Sequence, residues 1–182
     1  VAVVHEKKVR KPRHLRLPDL RSDDDCRRLI ATLHKPIYRG CFTLVYAYGL
    51  RIGEAITLPV TAVDSQQLLL RVIGKGNKER ALPLTEVMLD MLREVWKTHR
   101  STRWLFPSQA IVTPLSYGSA RAAFVKARTE CGFDHRFRPH SLRQVRSYYY
   151  ISLREGYLKG ISACFVSPRR SWRPVTTACT SA

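Results

Sequence analysis

One stretch, QLLLRVIGKGNKERALPL at 67–84, constrains the fold more than any other. It pairs a Leu- and β-branched-rich run with a second short apolar run ending at Pro83, and Gly74, Gly76 and Asn77 lie between them. That pattern is a β-hairpin: the turn positions need residues that tolerate positive φ, and the flanking runs alternate as strands do. No other segment has this character. The flanking sequence is helical in period, so the expectation is an α+β domain, mainly α-helical, carrying a small antiparallel hairpin or sheet.

The helices announce themselves by their ends. Ser22 can cap a helix whose first turn is Asp23, Asp24 and Asp25, where carboxylates suit the positive end of the dipole. That use of the acidic triplet is preferred to a metal site, because consecutive residues point in different directions around the axis. YRGCFTLVYAYGL at 38–50 is apolar enough for a buried helix, with Gly49 placed to end it, and RIGEAITL begins the next. Thr85 caps a helix whose core face is Met88, Met91, Leu92, Val95 and Trp96, with His99 and Arg100 suited to its negative end. After a proline-bearing extended loop, WLFPSQAIVTPLS, the residues Ala120, Ala123, Phe124 and Ala127 form another apolar face that Gly132 terminates. The basic loop DHRFRP then leads to His140.

Charge supplies the partner. The 32 Lys and Arg outnumber 14 Asp and Glu, for a formal net charge of +18. Such an excess calls for a polyanion, and nucleic acid is the natural one. A membrane is set aside, since no apolar run approaches the roughly 18 residues of a spanning helix. Cys26, Cys41, Cys131, Cys164 and Cys179 are odd in number and widely spaced, and read as reduced thiols of a cytoplasmic protein. Neither they nor the His residues have zinc-ligand spacing, so no metal is expected. GKGNK lacks the GxxxxGK[ST] pattern and is flanked by strands, which argues against a nucleotide cofactor.

Within this basic chain, Arg51, Lys75, His140 and Arg143 stand at element boundaries: after an apolar helix, at a hairpin tip, and three residues apart on a helix. Each has an ordinary reading on its own. Arg51 can form a surface ion pair with Glu54, Lys75 can be a turn lysine, and HxxR recurs by chance. As a set they suit phosphoryl transfer, where two guanidinium forks with a Lys or His neutralise charge on the non-bridging oxygens.

Together and in order, YAYGLRIGEAITL (46–58), LRVIGKGNKERALPL (70–84) and FRPHSLR (137–143) resemble the catalytic domain of the tyrosine recombinase, or phage integrase, family, over about residues 17–143. The resemblance implies site-specific DNA recombination and integration without a metal or cofactor. In it a Tyr hydroxyl attacks the scissile phosphate to give a 3′-phosphotyrosyl link. Arg51 is then the first catalytic Arg, Glu54 the acid supporting it, Lys75 the general acid to the leaving 5′ oxygen, and His140 and Arg143 the His and second Arg. The implied partners are double-stranded DNA and other recombinase protomers, with no small-molecule substrate.

Beyond Arg143 the chain departs from the family, which continues with an apolar helix, a Gly-His and a Thr-rich turn before the nucleophile. Tyr148, Tyr149, Tyr150 and Tyr157 come too early for that Tyr, and SWRPVTTACTSA only faintly echoes the family's end, with Cys179 near the Tyr position. The nucleophile is therefore left unassigned. The expectation is a basic arm or linker at 1–20, an incomplete catalytic-type domain at 21–155, and an irregular acid-free tail at 156–182 produced by loss of the reading frame. Such a truncated or frameshifted copy would be defective in strand cleavage; the alternative is a non-catalytic DNA-binding remnant of the same fold.

Overall fold

The structure is a computed structural model, and it describes residues 22–74 and 76–145. The arm at 1–20, Lys75, the tyrosines at 148–150 and 157, and the tail at 156–182 lie outside the described residues.

Ser22 caps α1 (Asp23–Thr32), its Oγ accepting from the Asp25 N–H at 3.1 Å. Pro36 opens α2 (Pro36–Tyr48), where its missing N–H costs nothing, and Gly49 closes it at φ 60°. This left-handed residue turns the chain directly into α3 (Ile52–Ile56). After a 3₁₀ turn at Val60–Ala62 come β1 (Val63–Asp64), β2 (Leu69–Ile73) and β3 (Glu79–Pro83). The chain then forms α4 (Glu86–Lys97), α5 (Tyr117–Glu130) and a helical stretch at 139–145.

The fold is thus the expected helical α+β one, with one addition. The hairpin is a three-stranded antiparallel sheet in the order β1-β2-β3, because the two residues of β1 pair with Leu69 and Leu70. Two residues carry no strand period, so β1 was invisible in the sequence. Between β2 and β3 the register sets Leu70 opposite Leu82 and Val72 opposite Arg80. Leu70 and Val72 are buried, so Arg80 extends from the inward face of the sheet while Ile73 and Glu79 face out.

α2 lies at the centre, packed against α1, α3 and α4, while α5 covers α1 and α3. Gly40 lets α2 approach α4 closely: a Cβ there would lie 2.9 Å from Val95 Cγ2. A chain of aromatic rings joins the elements. Phe42 meets Phe124 at 5.3 Å between centroids, Phe124 meets Phe137 edge-on at 5.6 Å, and Phe137 meets Phe133 at 5.4 Å. Phe42, Phe124 and Phe137 are fully buried, so this series fastens the loop before His140 to α5 and α2. Cys26 and Cys41 pack in the same core, and burial pushes both thiols up to about 12, with Asp23 and Asp25 adding to the effect at Cys26.

Two expectations for α4 need correction. Met88, Leu92 and Val95 are core, but Trp96 is 37% exposed at its edge, with its indole N–H donating to the Ser101 carbonyl. A ring too large to bury fully keeps its polar edge near the surface. His99 does not serve the helix end as a cation. Its Nδ1 accepts from the Ser101 N–H, and burial holds its pKa below the ordinary histidine value, only partly offset by the Leu105 backbone carbonyl facing the ring. Among the described residues, no helix is long and apolar enough to cross a membrane.

A cationic cleft as the candidate active site

Arg51 is the N-cap residue of α3, and its position follows from what precedes it. Gly49 reverses the chain, Leu50 is fully buried, and Arg51 therefore emerges where the chain leaves the core, with its side chain half exposed. Glu54, the third residue of α3, reaches back to it twice. Its carboxylate accepts from the Arg51 backbone N–H at 2.9 Å and from Arg51 Nη1 at 3.0 Å. This is no surface ion pair, since the Glu54 side chain is only 8% exposed.

A residue not singled out in the sequence completes the group. Arg80 of β3 donates from Nη2 to Glu54 Oε2 at 2.7 Å and from Nη1 to Oε1 at 3.3 Å. Burial alone would raise the Glu54 pKa, but hydrogen bonds from Arg80 and Arg51 outweigh it and hold the carboxyl at about 2. The signal for Arg80 was available in principle, because strand alternation puts it on the face of Leu82. What could not be read was that this face looks onto α3.

The second wall is the loop and helix at 134–145. Pro139 begins the helix, and Leu142 is fully buried, which anchors it while His140 and Arg143 lie to either side in sequence. Arg143 runs beside the α2–α3 turn: a Cβ added to Gly49 would lie 4.0 Å from its Cγ. Arg143 Nη1 is buried without a hydrogen-bond partner among the described residues. His140 is exposed, with no partner among the described residues.

Arg51, His140 and Arg143 line a single cleft of about 780 Å³, so three of the four basic residues singled out in the sequence are brought together. Lys75, the fourth, lies outside the described residues. Arg121, Arg128, His135 and Arg138 also border the cleft, and among the described residues no carboxylate does. Arg128 is partly structural, its Nη1 donating to the carbonyls of His135 at 3.0 Å and Phe137 at 3.4 Å. Arg121 was not singled out in the sequence, where only the apolar face Ala120, Ala123, Phe124 and Ala127 of α5 stood out. Tyr117, Arg121, Phe124, Val125 and Arg128 recur at three- and four-residue spacing along the cleft side. Among the described residues no three His, Cys, Asp or Glu side chains gather as a metal ion would require.

The sequence pattern of the phage integrase family matches residues 21–152. The chain belongs to the phage integrase family. Among its curated relatives is y4qK of Sinorhizobium fredii, named as an integrase/recombinase, which is 34% identical over 131 residues, covering 71% of this chain and 42% of the relative. The chain therefore spans about half, or less, of the relatives it matches. Two solved tyrosine recombinases share its fold. XerA superimposes with a TM-score of 0.64 at 23% identity, over 81% of this chain and 55% of that one. XerH bound to its difH substrate before cleavage gives 0.65 at 18%, over 76% and 45%. This phage integrase chain thus has the recombinase catalytic-domain fold, and its cationic cleft lies within the matched region.

Proposed function

We propose that the cleft receives the scissile phosphate of duplex DNA, as the phosphate-binding part of a site-specific recombinase that works with further protomers on its DNA. Arg51 and Arg143 grip the non-bridging oxygens, and His140 donates a hydrogen bond to one of them. Lys75, which lies between β2 and β3 in sequence, is the general acid to the leaving 5′ oxygen. The observation that carries this reading is the convergence of Arg51, His140 and Arg143, from segments far apart in sequence, on a cleft that no acid borders among the described residues. Arginine forks suit a phosphodiester, whose charge is spread over two oxygens and increases in the transition state.

The same copy is defective in cutting, because the sequence after Arg143 departs from the family's path to its nucleophile. Two measurements test the proposal. Duplex DNA should bind with an affinity that falls steeply with salt, and Arg51→Gln should lower the slope of log K against log salt by about 1; an unchanged slope defeats the phosphate site. A suicide DNA substrate should trap no covalent adduct, and an adduct would show that a nucleophile remains.

A further inference from the structure

Glu54 sits between two guanidinium groups, and the charges in this group do not cancel. Arg51 with Glu54 alone would be a neutral pair, which attracts an anion far less than a free cation does. Arg80 binds the same carboxylate from β3 and returns the group to a net charge of +1. We propose that Arg80 is a positioning residue of the cleft: it neutralises Glu54 from behind, so the carboxylate can anchor Arg51 while the Arg51 charge stays available to a DNA phosphate. The inference rests on the reading of the cleft given above.

Three observations support this division of labour. Arg80 contacts both carboxylate oxygens, whereas Arg51 gives its side chain to Oε1 through Nη1 alone, leaving Nε and Nη2 without a partner among the described residues. Arg80 is also the more sheltered, its side chain 36% exposed against 53% for Arg51, and it does not border the cleft. Finally, the hairpin accommodates it. A Cβ on Gly74 would lie 3.0 Å from Arg80 Nη1 and 3.6 Å from Glu54 Oε1, so a side chain there would press on the contact. The Gly74 N–H donates to the Lys78 carbonyl at 2.8 Å, so the Arg80–Glu54 contact ties the link between β2 and β3 to the helix that carries Arg51. Burial of Glu54 fits the same role, because a carboxylate shielded from water holds its partners without being replaced by solvent.

The experiment measures the affinity of the full chain for a short duplex DNA across a salt series. The variants are Arg51→Gln, Arg80→Gln, Arg80→Lys and Gly74→Ala, with Arg80→Gln repeated in the Glu54→Gln background, and melting curves select folded variants. Arg80→Gln should weaken binding on the order of 5- to 10-fold, and should cost almost nothing once Glu54 is also neutral. Arg80→Lys should restore most of the affinity, and Gly74→Ala, which keeps every charge, should lose less than Arg80→Gln. An equal loss in the Glu54→Gln background would overturn the inference, since Arg80 would then be touching DNA itself. Loss on Arg51→Gln with none on Arg80→Gln or Gly74→Ala would overturn it while leaving the phosphate site standing. No loss on Arg51→Gln would instead remove the phosphate site, and the inference with it.

Discussion

The two walls of the cleft are built on opposite principles. On one, Arg51 is held by a buried carboxylate that a second arginine also holds, so the cation has a fixed position and a counter-charge. On the other, Arg143 buries Nη1 with no partner and His140 stands unpaired among the described residues. The nearest acid in sequence on that wall, Asp134, is already engaged with His135 and Arg136. The difference shows how one site can be both ordered and attractive to an anion. The paired wall sets the geometry at some cost in field strength. The unpaired wall keeps its field by giving Arg143 no acidic partner among the described residues, and it relies on an apolar anchor, Leu142 and the Phe124–Phe137 contact, for its order.

The sharpest way to break this contrast is to remove the apolar anchor. Phe137→Ala should destabilise the fold by about 3–5 kcal/mol, as deletion of a buried aromatic side chain does, and should weaken DNA binding while Arg51 stays in place. Denaturant melts with the affinity of the folded fraction would show it. A loss of stability with no change in affinity would mean that the second wall does not depend on its anchor.

Next in size is the paired wall. Glu54 is far more acidic in the fold than in the unfolded chain, so its contribution is complete above the unfolded carboxylate value and is lost as pH falls toward about 2. Glu54→Gln should therefore cost about 3 kcal/mol near neutral pH and progressively less in acid. Stability curves for both proteins should converge as pH falls; parallel curves would show that the carboxylate charge is not what holds this wall.

The smallest effect on stability, and the most telling, belongs to Arg143. Arg143→Met removes a guanidinium whose buried Nη1 has no partner among the described residues, so the melting temperature should stay level or rise slightly, while DNA affinity falls and the salt slope drops by about 1. A clear loss of stability would mean that Arg143 serves the fold, and that the two walls are less different than they look.

Much of this molecule was legible in its residue order. Ser22 and Thr85 cap helices as their sequence contexts suggest, Gly49 ends α2 in the left-handed conformation, and the run 67–84 contains the two longer strands. These depend on neighbours within a few positions, and short-range chemistry is what a sequence displays. Trp96 and His99 were misjudged because helical period says which face a residue is on, and says nothing of how completely that face is covered.

By itself the sequence determined the helical character, the hairpin, the excess of positive charge and the choice of Arg51, Glu54, His140 and Arg143 as residues of interest. Only the tertiary structure decided that Arg80, from a strand 26 residues beyond Glu54, would share its carboxylate, and that Arg121 would border the cleft. The reason is physical. A buried carboxylate takes its partners from whatever surfaces packing brings against it, and those surfaces are fixed by how sheet and helices fill one core.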